Sequence, residues 1–187
     1  MRLGLNQDQQ QVPRSASDMQ PPIAALTTKE IPYDYVAKFT LRGERGHRVQ
    51  DVINVSIEGA FVAVTIGYSF IPPPPKAIIL SGPDDGSRER TIDFKYSIVD
   101  SGSGRELQNQ PIHNIAGLGE ATGKRPFRPL AKPMLFMPRS TIRIEVQEIS
   151  VGDLYGYEDA ITKQRVGAEL FIVLHGYKLL GYGTGLS

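Results

Sequence analysis

The sequence of 187 residues contains no cysteine and no tryptophan, and it has no long apolar run. The absence of cysteine excludes disulfide bonds, thiolate metal sites and cysteine nucleophiles, and it suits assembly in a reducing cytoplasm. No run reaches the roughly 18 apolar residues that a membrane-spanning helix needs, and the N-terminus lacks the apolar core of a signal peptide. We therefore expect a protein that is made in the cytoplasm, is not exported by a classical signal and does not enter a membrane.

The sequence also lacks an excess of charge of either sign. Its 21 lysine and arginine residues are matched by 20 aspartate and glutamate residues, which gives a formal net charge of +1. A mixed surface of this kind exerts no long-range attraction on nucleic acid or on an anionic membrane. We expect neither of them as a partner.

The usual signatures of catalysis and cofactor binding are missing as well. The glycine-rich segment 117–125 has the wrong spacing for a phosphate-binding loop and for a dinucleotide fingerprint. His47, His113 and His175 lie in separate segments, so no two of them share the short spacing of a metal site. There is no Gly-x-Ser-x-Gly elbow, and the paired acids fall in polar loops. We expect a non-enzymatic protein without catalytic residues, cofactor or metal.

Alternation of apolar and polar residues is the dominant pattern that is present. The longest apolar block, residues 49–70, alternates in its first half and is apolar on both faces after Gly59. This predicts a half-buried strand followed by a central strand that is covered on both sides. Further strands are predicted at 33–41, 76–80, 90–99, 111–115, 134–137, 140–150 and 168–183.

These short strands, joined by Gly/Pro loops without a convincing amphipathic helix, predict an all-β fold. We expect an antiparallel β-sandwich, with the jelly roll as the subtype. The glutamine-rich N-terminus has few apolar groups and cannot form a core, so we divide the chain into an extended or disordered arm at 1–30 and a sandwich domain at 31–187. Two interpretations of the arm stay open: a disordered tail, or a segment that becomes ordered by lying across a neighbouring subunit.

The connection at 105–138 is rich in proline and glycine and carries basic residues beside an aromatic one. Long loops without regular structure are uncommon in compact domains unless they have a function. We take Arg125, Phe127, Arg128 and Arg139 as candidate site residues. They could grip a nucleic-acid backbone or form a contact between subunits. At a net charge of +1 we favour the subunit contact.

Several segments together resemble a known class of proteins. RELQNQPIHNIAGLGEATGKRPFRPLAKPMLFMPRSTIRIEVQEIS at 105–150 contains an Asn-Ile-Ala-Gly-Leu-Gly loop and an Arg-Pro-Phe-Arg loop, and AELFIVLHGYKLLG at 168–181 contains His-Gly-Tyr-Lys. With IPYDYVAKFTL at 31–41 and DVINVSIEGAFVAVTIGYSF at 51–70, these resemble structural proteins of tailed-bacteriophage particles. The resemblance implies a β-sandwich component of the capsid, the neck or collar, or the tail.

The resemblance and the missing catalytic signatures lead to one expected function. We expect a virion structural protein, assembled in the host cytoplasm, that associates with itself and docks on other virion proteins. The alternative is a carbohydrate-binding module of a host-recognition appendage. For that alternative, Tyr155, Tyr157 and Tyr182 are the candidate residues for stacking on sugars.

Overall fold

The computed structural model of the protein describes residues 29–74, 92–118 and 126–181. The regular elements in these ranges are β1 (Lys29–Thr40), β2 (Arg48–Asn54), β3 (Gly59–Ile71), β4 (Phe94–Asp100), β5 (Arg105–Glu106), β6 (Ile112–His113), α1 (Asn114–Gly117), β7 (Phe127–Phe136), β8 (Thr141–Glu148), β9 (Gly156–Glu158), β10 (Arg165–Gly167) and β11 (Glu169–Leu180). No helix in the described ranges has the length and apolar composition needed to cross a membrane.

The boundary between arm and domain lies slightly earlier than the sequence predicted. β1 begins at Lys29, so the last two residues that we assigned to the arm belong to a strand of the domain. The rest of the arm, residues 1–28, lies outside the described residues, as does the predicted strand at 76–80.

Two antiparallel sheets pack against each other. Sheet A has the strand order β1-β11-β3-β7, and sheet B has the order β2-β8-β4-β5, with β6 also pairing with β4. β9 and β10 form a separate hairpin. Side chains from both sheets fill the space between them, and the largest include Phe39 and Phe61 from sheet A and Phe94 from sheet B. The all-β sandwich predicted from the alternation is confirmed.

Apart from β4, β5 and β6, which all lie in sheet B, and the β9–β10 hairpin, consecutive strands alternate between the two sheets. If β6, β9 and β10 are left out, the remaining eight strands can be renumbered 1 to 8 in chain order. Sheet A then has the order 1-8-3-6, and sheet B has the order 2-7-4-5. These orders are compatible with a jelly roll, which stays a prediction. Because strands distant in sequence become neighbours, both ends of the described chain are needed to complete sheet A.

The period-two pattern selects the side chains that face the core. In β1, Tyr35, Ala37 and Phe39 are buried, whereas Val36 and Lys38 between them are exposed. The apolar residues at alternate positions of the strands predicted at 90–99, 140–150 and 168–183 are buried as well: Phe94, Tyr96, Ile98, Ile142, Ile144, Val146, Leu170, Ile172 and Leu174. The intervening residues of every strand therefore form the outer faces of the sandwich.

The strand β7 is much longer than the short strand predicted at 134–137. It runs from Phe127 to Phe136 and contains Pro129 and Pro133. Proline is tolerated there because β7 lies at an edge of sheet A, where a missing N–H interrupts no second ladder. The pairing with β3 also shifts in register within β7. The prolines break the alternation, and this is why the sequence pattern understated the strand.

A buried carboxylate fixes the loop between β1 and β2. Glu148, at the end of β8, is 3% exposed. It accepts hydrogen bonds from the backbone N–H groups of Arg42 (2.9 Å), Gly43 (2.7 Å) and Glu44 (3.3 Å). Its Oε1 also lies 2.6 Å from His47 Nδ1. A carboxylate can accept several hydrogen bonds at once, so these donors offset the free-energy cost of burying it.

We expect Glu148→Gln to lower the free energy of unfolding by about 2–4 kcal/mol, because the amide nitrogen is a donor and cannot accept from the loop N–H groups. Urea unfolding followed by circular dichroism measures the change. Glu145→Gln is the matched control, since Glu145 lies on the same strand and its ion pair with Arg48 (3.4 Å) is at the surface. Equal losses in the two variants would contradict the role assigned to Glu148.

Candidate functional site

The candidate residues of the 105–138 connection lie at two ends of one strand. Phe127 and Arg128 begin β7, and Arg139 lies three residues after its last residue, Phe136. β7 pairs with residues 61–67 of β3, and six residue steps along a strand span about 20 Å. Arg125 lies outside the described residues. Contact of Phe127, Arg128 and Arg139 with a further subunit stays a prediction. Arg139 lies too far along the strand to share one compact contact with Phe127 and Arg128.

Arg128 lies on the inner side of β7, near a buried tyrosine. It pairs in register with the buried Ile66, and its guanidinium interacts electrostatically with Tyr96 of sheet B. Burial raises the pKa of the Tyr96 hydroxyl, and the positive charge of Arg128 opposes part of that increase. The end of the sandwich at β7 therefore contains a neutral phenol beside an exposed cation.

The Asn-Ile-Ala-Gly-Leu segment closes the same end of the sandwich. The buried Asn114 side chain accepts a hydrogen bond from the Phe94 N–H (3.2 Å) and donates one to the Ile92 carbonyl (2.8 Å). Gly117 lies against Tyr96, and a Cβ at that position would be 2.1 Å from the tyrosine hydroxyl. The asparagine and the glycine of this segment thus have structural roles.

The outer faces of the two sheets differ in polarity. On sheet B the outward positions are mostly charged or amide-bearing: Arg48, Gln50, Asn54, Lys95, Arg143, Glu145 and Gln147. On sheet A, apolar side chains occupy many outward positions, and we call the following set the apolar face: Val36, Gly67, Ile71, Phe127, Pro129, Leu135, Phe171, Val173 and Tyr177. Polar outward residues lie among them: Asp34, Lys38, Thr65, Ser69, Glu169 and His175. Exposed apolar side chains that neighbour one another on a folded domain mark a candidate interaction site.

Cross-strand register assembles the middle of the apolar face from four strands. Val36 of β1, Val173 of β11, Gly67 of β3 and Phe127 of β7 lie side by side in one row. The Phe127 ring covers the glycine, where a Cβ would be 2.8 Å from the ring. Phe127 nevertheless remains 41% exposed. The row therefore presents a nearly flat apolar surface with one aromatic ring on it.

A histidine–carboxylate pair occupies the next row of the same face. His175 Nδ1 is hydrogen-bonded to Asp34 Oδ1 across β11 and β1, and the Phe127 ring centre lies 5.5 Å from the imidazole. On the other side of β11, Thr65 of β3 is the register partner of His175. The order of acid, histidine and hydroxyl matches the roles in a hydrolase triad. Thr65 Oγ1, however, is buried and has no hydrogen-bond partner among the described residues, so the row offers no accessible activated nucleophile.

Sequence spacing found neither of the two histidine–carboxylate pairs. Asp34 and His175 are 141 residues apart, and His47 and Glu148 are 101 residues apart, so only strand pairing brings them together. The one available signal was the polar His175 within the apolar run FIVLHGY. In the described ranges, no three His, Asp or Glu side chains form a group that could hold a metal ion.

The tyrosines considered for sugar binding do not form an exposed platform in the described part of the chain. Tyr157 is buried, and its hydroxyl donates a hydrogen bond to the Pro74 carbonyl (2.9 Å). Tyr155 is half-buried, with its ring centre 5.9 Å from that of Phe70. Tyr182 lies outside the described residues.

Comparison with known proteins does not assign a family. No family model matches the sequence, and no curated protein matches it. Among solved structures, the chain is similar to a crystal structure of a protein from Sulfurospirillum deleyianum, with 8% sequence identity and a TM-score of 0.35. The similarity covers 77% of this chain and 98% of that chain. A likeness at this level supports no inference about function.

The raised pKa of Tyr96 predicts a loss of stability in alkaline solution. Because the folded state favours the neutral phenol, the stabilisation is complete below the unfolded-state pKa of about 10 and is lost as the pH rises through the folded-state pKa. Tyr96→Phe should reduce this alkaline loss, as measured by urea unfolding at increasing pH. Tyr33→Phe, at a more exposed ring, is the control.

Arg128→Ala should move the titration of Tyr96 to still higher pH, because the variant lacks the charge that opposes the increase. Ultraviolet difference titration of the single variant against Arg128→Ala/Tyr96→Phe isolates the signal of this one tyrosine. An unchanged titration would contradict the electrostatic contact between Arg128 and Tyr96.

Proposed function

We propose that the protein is a non-enzymatic structural component of a tailed-bacteriophage particle, which associates with copies of itself and docks on other particle proteins through the apolar face. The observation that carries this proposal is the contrast between the apolar face of sheet A and the charged outer face of sheet B. An antiparallel sheet that faces water normally alternates with polar outward residues. An apolar outward face gains free energy when another protein covers it.

The edges of sheet A favour association through its face over the addition of strands at its edges. The Lys38 N–H points to the free edge of β1 and donates to the Asp51 carboxylate of β2 (2.8 Å). Pro32 has the same orientation in β1, so it removes a donor from that edge. At the other edge, Pro129 and Pro133 interrupt β7. Prolines and occupied donors hinder pairing with a further strand.

The size of the apolar face suits weak contacts that are repeated many times. Four strands with about seven residues each give a face of roughly 400 Å². A typical stable interface buries about 800 Å² on each partner. One such face thus supplies about half of a stable interface, and a particle with many copies compensates through multiple contacts.

The resemblance of residues 31–181 to tailed-phage structural proteins supports the assignment to a particle. Asn114 and Gly117, which belong to the resembling segments, act by hydrogen bonding and close packing inside the domain. Mass-spectrometric analysis of purified particles tests the assignment. If the infected lysate contains the chain and the purified particles lack it, the assignment is wrong.

We expect Val36→Lys to weaken self-association at least about tenfold, while Val52→Lys leaves it unchanged. Val36 is 50% exposed on the apolar face, and Val52 is 45% exposed on the outer face of sheet B. In the unassociated domain, β1 and β2 can each carry an exposed lysine at these positions without loss of the fold. Only the variant on the apolar face would bury an unpaired ammonium in a covered contact.

Sedimentation velocity over a dilution series measures the association, and thermal unfolding checks that both variants fold. Equal weakening in the two variants would mean that the contact does not involve the apolar face. A wild-type chain that is monomeric at roughly 1 mM, where even a weak contact with a Kd of about 100 µM is mostly formed, would contradict self-association itself.

A further inference from the structure

We infer that the Asp34–His175 pair makes self-association through the apolar face depend on pH. Covering the face holds a proton on the pair, so the contact strengthens in mildly acidic solution and weakens in mildly alkaline solution. This inference rests on the proposed self-association and names its regulation. The pair, which offers no activated nucleophile to a substrate, thereby gains a role in assembly.

The pair lies where a partner on the apolar face covers it. Asp34 and His175 form the row next to the one that contains Val36, Val173 and Phe127, and neighbouring rows of a sheet face are about 7 Å apart. The centre of the Phe127 ring is 5.5 Å from that of the imidazole. The side chains of Asp34 and His175 are 48% and 49% exposed. Docking on the middle of the apolar face therefore removes water from the carboxylate and from the imidazole.

The number of protons on the pair decides its net charge. His175 Nδ1 is hydrogen-bonded to the Asp34 carboxylate, so a neutral imidazole donates its Nδ1–H to Asp34 and leaves Nε2 as an acceptor. In that state the pair carries the single negative charge of the carboxylate. One further proton, bound at Nε2, gives an imidazolium beside a carboxylate, and the pair is then neutral as a whole.

Desolvation distinguishes these two states. In water the lone carboxylate is well hydrated, so an exposed ion pair gains little free energy over it. In a covered contact the carboxylate loses its hydration. Burial of an unpaired charge then costs far more free energy than burial of a hydrogen-bonded ion pair. The covered state therefore favours the pair that has bound the further proton.

His175 is the group that can neutralise Asp34 in a covered contact. Among the described residues, no lysine or arginine forms a salt bridge with Asp34. Glu30 and Lys38 are each four residues from Asp34, about 13 Å along β1, and Lys38 pairs with Glu169 of β11 (2.6 Å).

The remaining elements around the pair supply no closer charge. The outward residues of β3 in this region are uncharged: Thr65, Gly67 and Ser69. On β7, Arg128 lies on the inner side, and Lys132 lies where the register with β3 shifts. Tyr177 is the next outward residue of β11, and a tyrosine side chain ordinarily ionises only near pH 10. The charge of the covered row is therefore set by the proton on the Asp34–His175 pair.

The direction of the pH dependence follows from proton linkage. If the contact binds more protons than the separate chains do, its association constant falls as the pH rises, by up to about tenfold per pH unit for each proton taken up. A histidine side chain ordinarily titrates near pH 6.5. Above that pH a free imidazole is neutral, so the contact has to take a proton from solution or bury a lone carboxylate. We therefore expect a dissociation constant about tenfold larger at about pH 8 than at about pH 6.

Sedimentation velocity of the full chain over dilution series at about pH 6, 7 and 8 and constant ionic strength measures this change. Thermal unfolding at each pH checks that the chains stay folded. Asp34→Asn is the decisive variant, because the amide oxygen can still accept the Nδ1–H bond but carries no charge. An imidazolium is then the unpaired ion in the contact, so the pH dependence should reverse, with tighter association at about pH 8 than at about pH 6.

Two histidine variants show which group binds the proton. His175→Gln should associate with the same dissociation constant at both ends of the pH range, because glutamine does not titrate. His113→Gln is the matched control, since His113 lies in β6 of sheet B. This control should keep the wild-type pH dependence.

Three results would overturn the inference. One is a wild-type dissociation constant that stays the same or falls between about pH 6 and about pH 8. Another is a pH dependence of Asp34→Asn in the wild-type direction, since the charge of Asp34 would then play no part. The third is a dependence that persists in His175→Gln or disappears in His113→Gln, since another group would then bind the proton. Self-association without pH dependence rejects this inference and keeps the proposed function, whereas a wild-type chain that is monomeric at roughly 1 mM across the range rejects both.

Discussion

The pairing of β1 with β11 is the interaction on which the rest of the structure depends. β11 lies between β1 and β3, so it joins the first described strand to the middle of sheet A. A slip of one residue would move Leu170, Ile172 and Leu174 from the core to the outer face. Gly176, at the register shift, allows the close approach of β3, because a Cβ there would be 1.9 Å from the Val62 carbonyl oxygen. Core packing and a close backbone contact thus select the same register.

That register also creates the apolar face. β3 and β11 carry apolar residues on both faces, a pattern typical of strands that are covered on both sides. Sheet B covers the inner face, whereas Val36, Ile71, Phe127 and Leu135 on the outer face remain exposed. The sequence therefore contains more apolar surface than the described sandwich buries. Docking of another protein is the physical means by which such a surface leaves water.

Three polar groups buried in the sandwich have structural partners. Glu148 accepts backbone hydrogen bonds, and Asn114 bridges Ile92 and Phe94. Lys178 is buried with its Nζ 3.6 Å from the ring centre of Tyr33, a distance that allows a cation–π interaction. The hydrogen bonds of Glu148 and Asn114 and the cation–π contact of Lys178 are thus made with partners inside the domain.

The sequence by itself determined the all-β class and the inner residues of β1, β4, β8 and β11, because burial of one strand face requires a period of two. It did not determine the extent of β7, since proline disfavours a strand locally and is tolerated only at an edge that the fold defines. The sequence identified Phe127 as a candidate site residue. It did not identify Val36, Val173 and His175, which lie beside Phe127 in the folded chain. Strands with similar alternation can pair in many combinations, and the choice among them depends on the packing of the whole core. For this reason only the tertiary structure decided which side chains share the apolar face.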